Sequence, residues 1–167
     1  MSSLQLNISS LAKKTVSACI ENNVTFGTAE SCTGGLISAS VTNIAGASAA
    51  FFGGIVSYDN SVKEKLLGVP AKTLAEKGAV SPETAKAMSE GARRALGVDY
   101  AVAVTGFAGP AGGGTPDKPV GLVYVSVASE NGIIVTENHF SGDREAVRLQ
   151  TVEKALALLL EAVRGHR

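Results

Sequence analysis

The first chemically capable group in this sequence is a serine that stands between a short apolar segment and a predicted helix. Ser31 is followed by Cys32, Thr33, Gly34 and Gly35. Backbone N–H groups in the first turn of a helix lack a helical partner, so they can hold an oxyanion or a phosphate. The two glycines would let a ligand approach that backbone. Ser31 is therefore a candidate nucleophile, and the alternative is that Ser31 or Thr33 merely caps the helix.

A serine nucleophile needs a base, and lysine is a better candidate here than histidine. His139 ends a predicted strand and His166 lies next to the carboxyl terminus, so a Ser-His-Asp triad has little support. Lys63 follows the second predicted strand, on the first turn of a helix whose positive end favours an uncharged amine. Tyr58 could relay the proton or orient this lysine. The alternative is that Lys63, like Lys65, is a solvated surface charge.

Cys32 is a rival nucleophile, because a helix start lowers the pKa of a thiol. Neighbouring side chains alternate in direction, however, so we do not expect Ser31 and Cys32 to share one role. A small buried residue is the expected part for Cys32. The sequence has no His-Glu-x-x-His, no Cys-x-x-Cys and no tight carboxylate cluster. We therefore predict neither a metal site nor a cofactor.

A second loop, residues 106–119, holds five glycines and three prolines and cannot form regular structure. It has neither the Gly-Lys-Ser/Thr ending of a phosphate loop nor a G-x-G-x-x-G that opens a helix. Its backbone N–H groups could still face an anion or an amide oxygen, with Thr105, Gly106, Gly109 and Gly113 as the predicted substrate contacts. The alternative is a purely structural cluster of turns.

Two arginines supply a candidate phosphate clamp. Arg144 and Arg148 lie four residues apart at the start of the last predicted helix, so they share one helix face. Guanidinium groups bind phosphate through paired hydrogen bonds. Simple surface pairs with Asp143 and Glu145 are the alternative.

The elements that must position these groups alternate between helix and strand. Helices are predicted over 4–21, 36–42, 60–67, 82–96 and about 143–163, and strands over 25–30, 51–58, 100–105, 122–128 and 133–140. Gly53 and Gly54 are a possible bulge, and Asn131-Gly132 is a strong hairpin signal. The pattern predicts an α/β fold with three layers, a mixed β-sheet flanked by helices, in a single domain over 1–167. Sites in such folds lie at the carboxyl ends of strands, where both candidate loops begin.

Bulk properties narrow the class of function. The chain has 167 residues, with 15 basic and 15 acidic side chains, so no broad attraction to nucleic acid or to membranes is expected. Two cysteines are too few for a disulfide framework. No apolar run approaches the roughly 20 residues of a membrane span, and the first residues lack the pattern of a signal peptide. We predict a cytoplasmic protein, and we expect a small, alanine-rich domain of this kind to form a homo-oligomer.

Several blocks, in the same order along the chain, resemble the CinA C-terminal-domain family. These blocks occupy residues 29–36, 80–81, 103–106, 108–110, 113–116, 118–121 and 142–144. The resemblance implies nicotinamide-nucleotide amidohydrolase activity in pyridine nucleotide salvage, a part of NAD metabolism. Nicotinamide mononucleotide and water would give nicotinate mononucleotide and ammonia. The chain is similar to the stand-alone form, without the amino-terminal domain of longer relatives or the pyrophosphatase activity linked to it.

The resemblance also assigns roles to particular residues. It makes Ser31 the nucleophile and makes Tyr58 and Lys63 the proton-transfer pair, while Arg144 stays a candidate for binding the phosphate. Three positions depart from the commoner family residues: Asp59, Phe107 and Ala111. The rival hypotheses are a nucleotide-binding module without catalysis, an interaction protein linked to competence or DNA damage, and an amidase that acts on a related amide.

Overall fold

A computed structural model describes residues 1–110 and 114–165 of the chain. In chain order the elements are α1 (Ser3–Glu21), β1 (Phe26–Glu30), α2 (Leu36–Thr42), a 3-10 turn (Ala47–Ala49), β2 (Phe51–Val56), α3 (Asn60–Leu67), α4 (Ala71–Lys77), α5 (Pro82–Leu96), β3 (Tyr100–Gly106), β4 (Leu122–Ser129), β5 (Gly132–His139) and α6 (Arg144–Arg164). All of the predicted helices and strands are present, with ends within two residues of the predicted ones.

The strands form one five-stranded sheet in the order β2-β1-β3-β4-β5. β1 pairs in parallel with both β2 and β3, whereas β3 with β4 and β4 with β5 are antiparallel. An apolar cluster joins α1, α2 and α6 to one face, and a second cluster joins α3, α4 and α5 to the other. The predicted fold, three layers with a mixed sheet flanked by helices, is confirmed.

Small residues allow the helices to lie close to the sheet and to each other. Ala101 and Ala103 are fully buried under α5. Gly91 lies so close to the backbone carbonyl of Leu67 that a Cβ atom there would collide with it, so glycine is required where α5 crosses the end of α3. The alanine and glycine content of the sequence is therefore a packing requirement.

Two details differ from the sequence prediction. α4 was not predicted, since its seven residues begin without a side-chain cap and carry a single buried apolar residue, Leu74. The bulge in β2 is at Phe52 instead of the two glycines, because Phe26 lies opposite Phe51 while Gly27 lies opposite Gly53. Phe52 is the extra residue and points its ring outward, 58% exposed.

The topology gathers the site at one edge of the sheet. The parallel strands β1, β2 and β3 all end there, and α6 begins there. The chain leaves β1 for β2 on one side and then crosses to β3 on the other, which makes the β1–β3 boundary a switch point where α/β sheets bind ligands. In the described part of the chain, no helix is long and apolar enough for a membrane span.

Candidate active site

The ends of β1 and β2 bring Ser31 and Lys63 into contact. Lys63 Nζ lies 3.2 Å from Ser31 Oγ, and it donates to the carbonyl oxygens of Ser57 at 2.7 Å and Tyr58 at 3.1 Å. A neutral amine has two N–H groups and one lone pair. With both N–H groups held by carbonyls, the lone pair faces the Ser31 hydroxyl, which is the arrangement that a general base requires.

Burial makes this amine a plausible base. Lys63 is only 1% exposed, and the loss of hydration lowers its pKa from the usual 10.5, although the charge of Asp59 acts in the opposite direction. Among the described residues, no carboxylate forms an ion pair with Lys63. Asp59 instead caps α3 through the backbone N–H and the hydroxyl of Ser61. Burial is therefore the largest influence on the pKa of Lys63 and favours the neutral amine, against the weaker opposing effect of Asp59.

Tyr58 contacts Lys63 through its backbone and not through its hydroxyl. Its side chain is 61% exposed, and its hydroxyl oxygen accepts a hydrogen bond from Arg144 Nη2 at 3.3 Å. Ser31 is only 9% exposed, so we call the buried Ser31 and Lys63 the floor of the site and the exposed Tyr58 and Arg144 its rim. The geometry favours Lys63 as the base, and a proton relay through the Tyr58 hydroxyl stays a prediction.

A buried carboxylate occupies the helix start that was expected to hold a ligand. Glu30 is fully buried, and its oxygens accept hydrogen bonds from the N–H groups of Gly35, Ile37 and Ser38 and from the hydroxyls of Thr33 and Ser38. The first turn of α2 is therefore already satisfied by an anion from the chain itself. An acidic residue that ends a wholly buried strand was the sequence signal for this role.

The predicted contacts on this turn all serve to hold it together. Thr33 and Gly35 donate to Glu30, and the Gly34 N–H donates to the Ser31 carbonyl at 3.1 Å. Within residues 1–110 and 114–165, the N–H groups of Cys32 and Thr33 donate to no other residue. Direct substrate contact by Thr33, Gly34 or Gly35 stays a prediction.

The glycine-rich loop meets the site through Arg144. Arg144 Nη1 donates to the Gly109 carbonyl at 2.7 Å, so this side chain joins the loop to Tyr58. The Thr105 hydroxyl donates to the Ala79 carbonyl at 2.6 Å, and Gly106 is pressed against β4. Gly113 lies outside the described residues. Substrate contacts by Thr105, Gly106, Gly109 and Arg144 remain predictions.

Two further cationic side chains, Arg148 and Lys118, hydrogen-bond to backbone carbonyls of loops. The sequence analysis did not predict this role for either residue. Arg148 donates from Nε to the Cys32 carbonyl at 3.1 Å and from Nη2 to the Thr33 carbonyl at 2.8 Å. Lys118 donates to the carbonyls of Lys77 at 2.7 Å and Val80 at 2.8 Å. Residue spacing cannot predict these contacts, because the backbone atoms that accept the hydrogen bonds lie far from the cations along the chain.

Neither Cys32, the rival nucleophile, nor His139 is suited to a catalytic role here. Cys32 is buried, as predicted, and burial raises the pKa of its thiol to about 12. A thiol with that pKa has almost no thiolate at neutral pH and is a poor nucleophile. His139 pairs with Glu137 on the exposed side of β5. In the described part of the chain, no three metal-binding side chains lie together.

Comparison with known proteins agrees with this architecture. The family model of the CinA C-terminal domain matches residues 8–163. A CinA-like protein of Leptospira borgpetersenii is 52% identical over 146 residues, 87% of this chain and 35% of that protein, and one of Geobacter sulfurreducens is 54% identical over 136 residues, 81% of this chain and 33% of that protein. This chain thus spans about a third of the length of the curated relatives it matches.

Solved structures share the whole fold. A competence/damage inducible protein from Agrobacterium tumefaciens is 42% identical, with a TM-score of 0.90 over 95% of this chain and 96% of that one. A CinA superfamily protein from Klebsiella pneumoniae is 35% identical, with a TM-score of 0.90 over 95% of this chain and 98% of that one. The described sheet, helices and site edge are therefore those of a recurring domain.

Proposed function

This chain belongs to the CinA C-terminal domain family, and on that basis we propose that it hydrolyses the carboxamide of nicotinamide mononucleotide. The observation that supports this proposal best is the contact of 3.2 Å between Lys63 Nζ and Ser31 Oγ, made by a buried lysine that forms no ion pair with a carboxylate of the described residues. A serine beside an uncharged amine is suited to acyl transfer from an amide. The protein would act in the cytoplasm, in pyridine nucleotide salvage, as a homo-oligomer.

In the proposed mechanism, neutral Lys63 takes the proton of the Ser31 hydroxyl as Oγ attacks the carboxamide carbon. The carbonyl oxygen becomes an oxyanion, which unpaired backbone N–H groups beside Ser31 stabilise by roughly 3 kcal/mol per good donor. The C–N bond then breaks, and the nitrogen takes the proton from the Lys63 ammonium and leaves as ammonia. Lys63 next takes a proton from water as the water oxygen attacks the acyl carbon. The bond between that carbon and Ser31 Oγ then breaks, Lys63 returns the proton to Oγ, and nicotinate mononucleotide leaves.

The nucleotide phosphate would be held at the rim of the site. Arg144 joins the Gly109 carbonyl to the Tyr58 hydroxyl, and it is exposed, so its guanidinium has further N–H groups for an incoming anion. The remaining N–H groups of the glycine-rich loop would complete this contact. Free nicotinamide, which lacks the phosphate, should therefore be a much poorer substrate than the mononucleotide.

Ammonia release from nicotinamide mononucleotide tests the proposal directly. The wild-type protein should release ammonia, and Ser31→Ala should lower kcat by at least about 1,000-fold, since Ser31 has the only hydroxyl or thiol that hydrogen-bonds to Lys63 Nζ among the described residues. Ser48→Ala changes an exposed serine of the 3-10 turn next to the amino end of β1, at the opposite end of that strand from Ser31, and serves as the matched control. Full activity in Ser31→Ala would disprove the mechanism. Nucleotide binding without ammonia release by the wild-type protein would favour a binding module.

A further inference from the structure

The turn that carries Ser31 is held from two sides by groups of opposite charge. On one side the Glu30 carboxylate accepts hydrogen bonds from backbone N–H groups at the start of α2 and from the Thr33 hydroxyl. On the other side Arg148, in the second turn of α6, donates hydrogen bonds to the carbonyl oxygens of Cys32 at 3.1 Å and Thr33 at 2.8 Å. Several donors of this turn thus face a carboxylate and two of its carbonyls face a guanidinium, while the Gly34 N–H donates to the Ser31 carbonyl and the Leu36 N–H to the Thr33 carbonyl.

The direction of these carbonyls fixes the direction of the next N–H groups. The peptide bonds here are trans, and in a trans peptide the C=O and N–H groups point in opposite directions. With both carbonyls aimed at Arg148, the N–H groups of Thr33 and Gly34 point away from it. The Gly34 N–H is occupied by the Ser31 carbonyl, whereas that of Thr33 donates to no other residue in the described chain. Thr33 therefore carries an oriented, unpaired donor two residues after Ser31.

We propose that Arg148 is a positioning residue that fixes the Thr33 N–H as an oxyanion donor for Ser31. The proposal deepens the acyl-transfer chemistry proposed above and rests on it, although it does not depend on which amide is the substrate. Within the described residues, the side-chain hydrogen bonds of Arg148 go to backbone carbonyls of the turn, so its effect reaches the reaction through the peptide planes. An oxyanion donor works because it is fixed before charge develops, and an arginine that spans two carbonyls supplies that fixing.

The fork of the guanidinium explains why arginine and not lysine is needed here. Two different nitrogens, Nε and Nη2, reach two successive carbonyls. A lysine has a single nitrogen, which at best would reach one of them well. Gly34 also has Arg148 packed against it, since a Cβ atom there would lie 3.6 Å from Nη2. This shape makes Arg148→Lys an informative conservative variant, because it keeps the charge while it loses the paired geometry.

A covalent probe tests the proposal without the natural substrate. A fluorophosphonate reacts with an activated serine, and its phosphoryl oxygen uses the same oxyanion donors as an acyl group. We would measure the rate of Ser31 phosphonylation and the kinetics with nicotinamide mononucleotide in the wild type, Arg148→Lys and Arg148→Met. The matched control is Arg93→Met, because Arg93 also donates to a backbone carbonyl, that of Asp99 at 3.0 Å, at the far end of β3.

The expected results separate positioning from substrate binding. Loss of one oxyanion donor lowers kcat by roughly 100-fold to 1,000-fold, so Arg148→Met should approach that range with KM changed less than about threefold. Arg148→Lys should fall between it and the wild type, Arg93→Met should keep the wild-type rate, and added guanidinium should partly restore Arg148→Met. Wild-type phosphonylation in Arg148→Lys, or a change confined to KM, would overturn the proposal. If Arg148→Met does not fold, the result with Arg148→Lys decides.

The two proposals can fail separately. If the wild-type protein is phosphonylated at Ser31 but releases no ammonia from nicotinamide mononucleotide, the substrate assignment is wrong and the Arg148 variants still test the positioning role. If all variants release ammonia at the wild-type rate, the substrate assignment stands and the positioning role is wrong.

Discussion

A carboxylate accepts hydrogen bonds from backbone N–H groups and hydroxyls at both ends of the β1 and β3 pair. The carboxylate at the amino ends is exposed, and the one at the carboxyl ends is buried. At the amino ends, Asp99 Oδ2 accepts from the N–H of Thr25 at 2.7 Å and from its hydroxyl at 2.9 Å, on an exposed edge. At the carboxyl ends, Glu30 also accepts from backbone N–H groups and hydroxyls, but it is fully buried. Water can replace a lost hydrogen bond only at the exposed amino ends. Replacing the carboxylate by an amide should therefore lower the free energy of unfolding much more at the buried carboxyl ends.

The site edge contains two ionisable side chains that are buried, Glu30 and Lys63. The buried ionisable groups of the site edge contact neutral groups: Glu30 accepts from N–H and O–H donors, and Lys63 Nζ contacts a backbone carbonyl oxygen and the Ser31 hydroxyl. Neither forms an ion pair within the described chain. A buried lysine paired with a carboxylate would be held in the charged form, so the separation of these charges leaves Lys63 free to act as a base.

The largest expected effect is the loss of activity in Lys63→Met. Without the amine, no described group beside Ser31 Oγ can accept its proton, so kcat should fall by at least about 1,000-fold in the ammonia assay. Lys65→Met on the same helix changes an exposed lysine and should keep the wild-type rate. Comparable activity in both variants would place the base elsewhere.

Glu30→Gln should have the largest effect on stability. The new amide NH₂ would face N–H or O–H donors whichever way it is turned, since both carboxylate oxygens accept hydrogen bonds from such groups. We expect a loss of about 3 kcal/mol in the free energy of unfolding, which is roughly 6–12 °C in Tm for a chain of this size. Urea unfolding followed by circular dichroism measures this loss, and a loss below about 1 kcal/mol would mean that the turn readily rearranges.

These residues also mark how far the sequence could predict the site. The alternation of helix and strand predicted the layers, because hydrophobic periodicity is a local property. Ser31 and Lys63 were found because each follows a strand. Glu30 was not singled out, and Arg148 was named only as a candidate phosphate clamp with Arg144, because the partners of both residues are mainly backbone atoms of a turn whose shape depends on the assembled edge. For Arg148 those atoms lie 116 and 115 residues away along the chain.

A smaller effect is expected from Arg144→Ala. This substitution tests whether the exposed rim of the site contributes to substrate binding and the buried floor to the chemical step. Loss of a guanidinium that contacts a phosphate should raise KM for nicotinamide mononucleotide about tenfold, with kcat changed little. Activity on free nicotinamide should be unaffected, since it carries no phosphate. Arg164→Ala, at the far end of α6, is the control. An effect of Arg144→Ala on kcat alone would assign this residue to the chemistry of the floor.

The pH dependence of stability gives a weaker but specific signal from the buried edge. The pKa of Lys63 is lowered by burial, so between that value and the usual 10.5 the unfolded chain binds a proton that the folded chain does not. The free energy of unfolding therefore gains a positive slope with pH in this window, and the cost of the buried ammonium is fully present below it. Unfolding from about pH 7 to about pH 10 should show this slope in the wild type and a flatter profile in Lys63→Met. Parallel profiles would argue for a Lys63 that stays charged.

The smallest effect is expected from Asp99→Asn at the exposed edge, where the substitution has the same chemistry as Glu30→Gln. Both Thr25 bonds end on one oxygen, Oδ2, so the asparagine carbonyl can take that position and keep them while its NH₂ faces solvent. Because Asp99 is exposed, we expect a change of less than about 0.5 kcal/mol in the free energy of unfolding and no change in kcat. A loss as large as that of Glu30→Gln would show that burial does not set the cost. The two edges would then have to differ for a reason other than access to water.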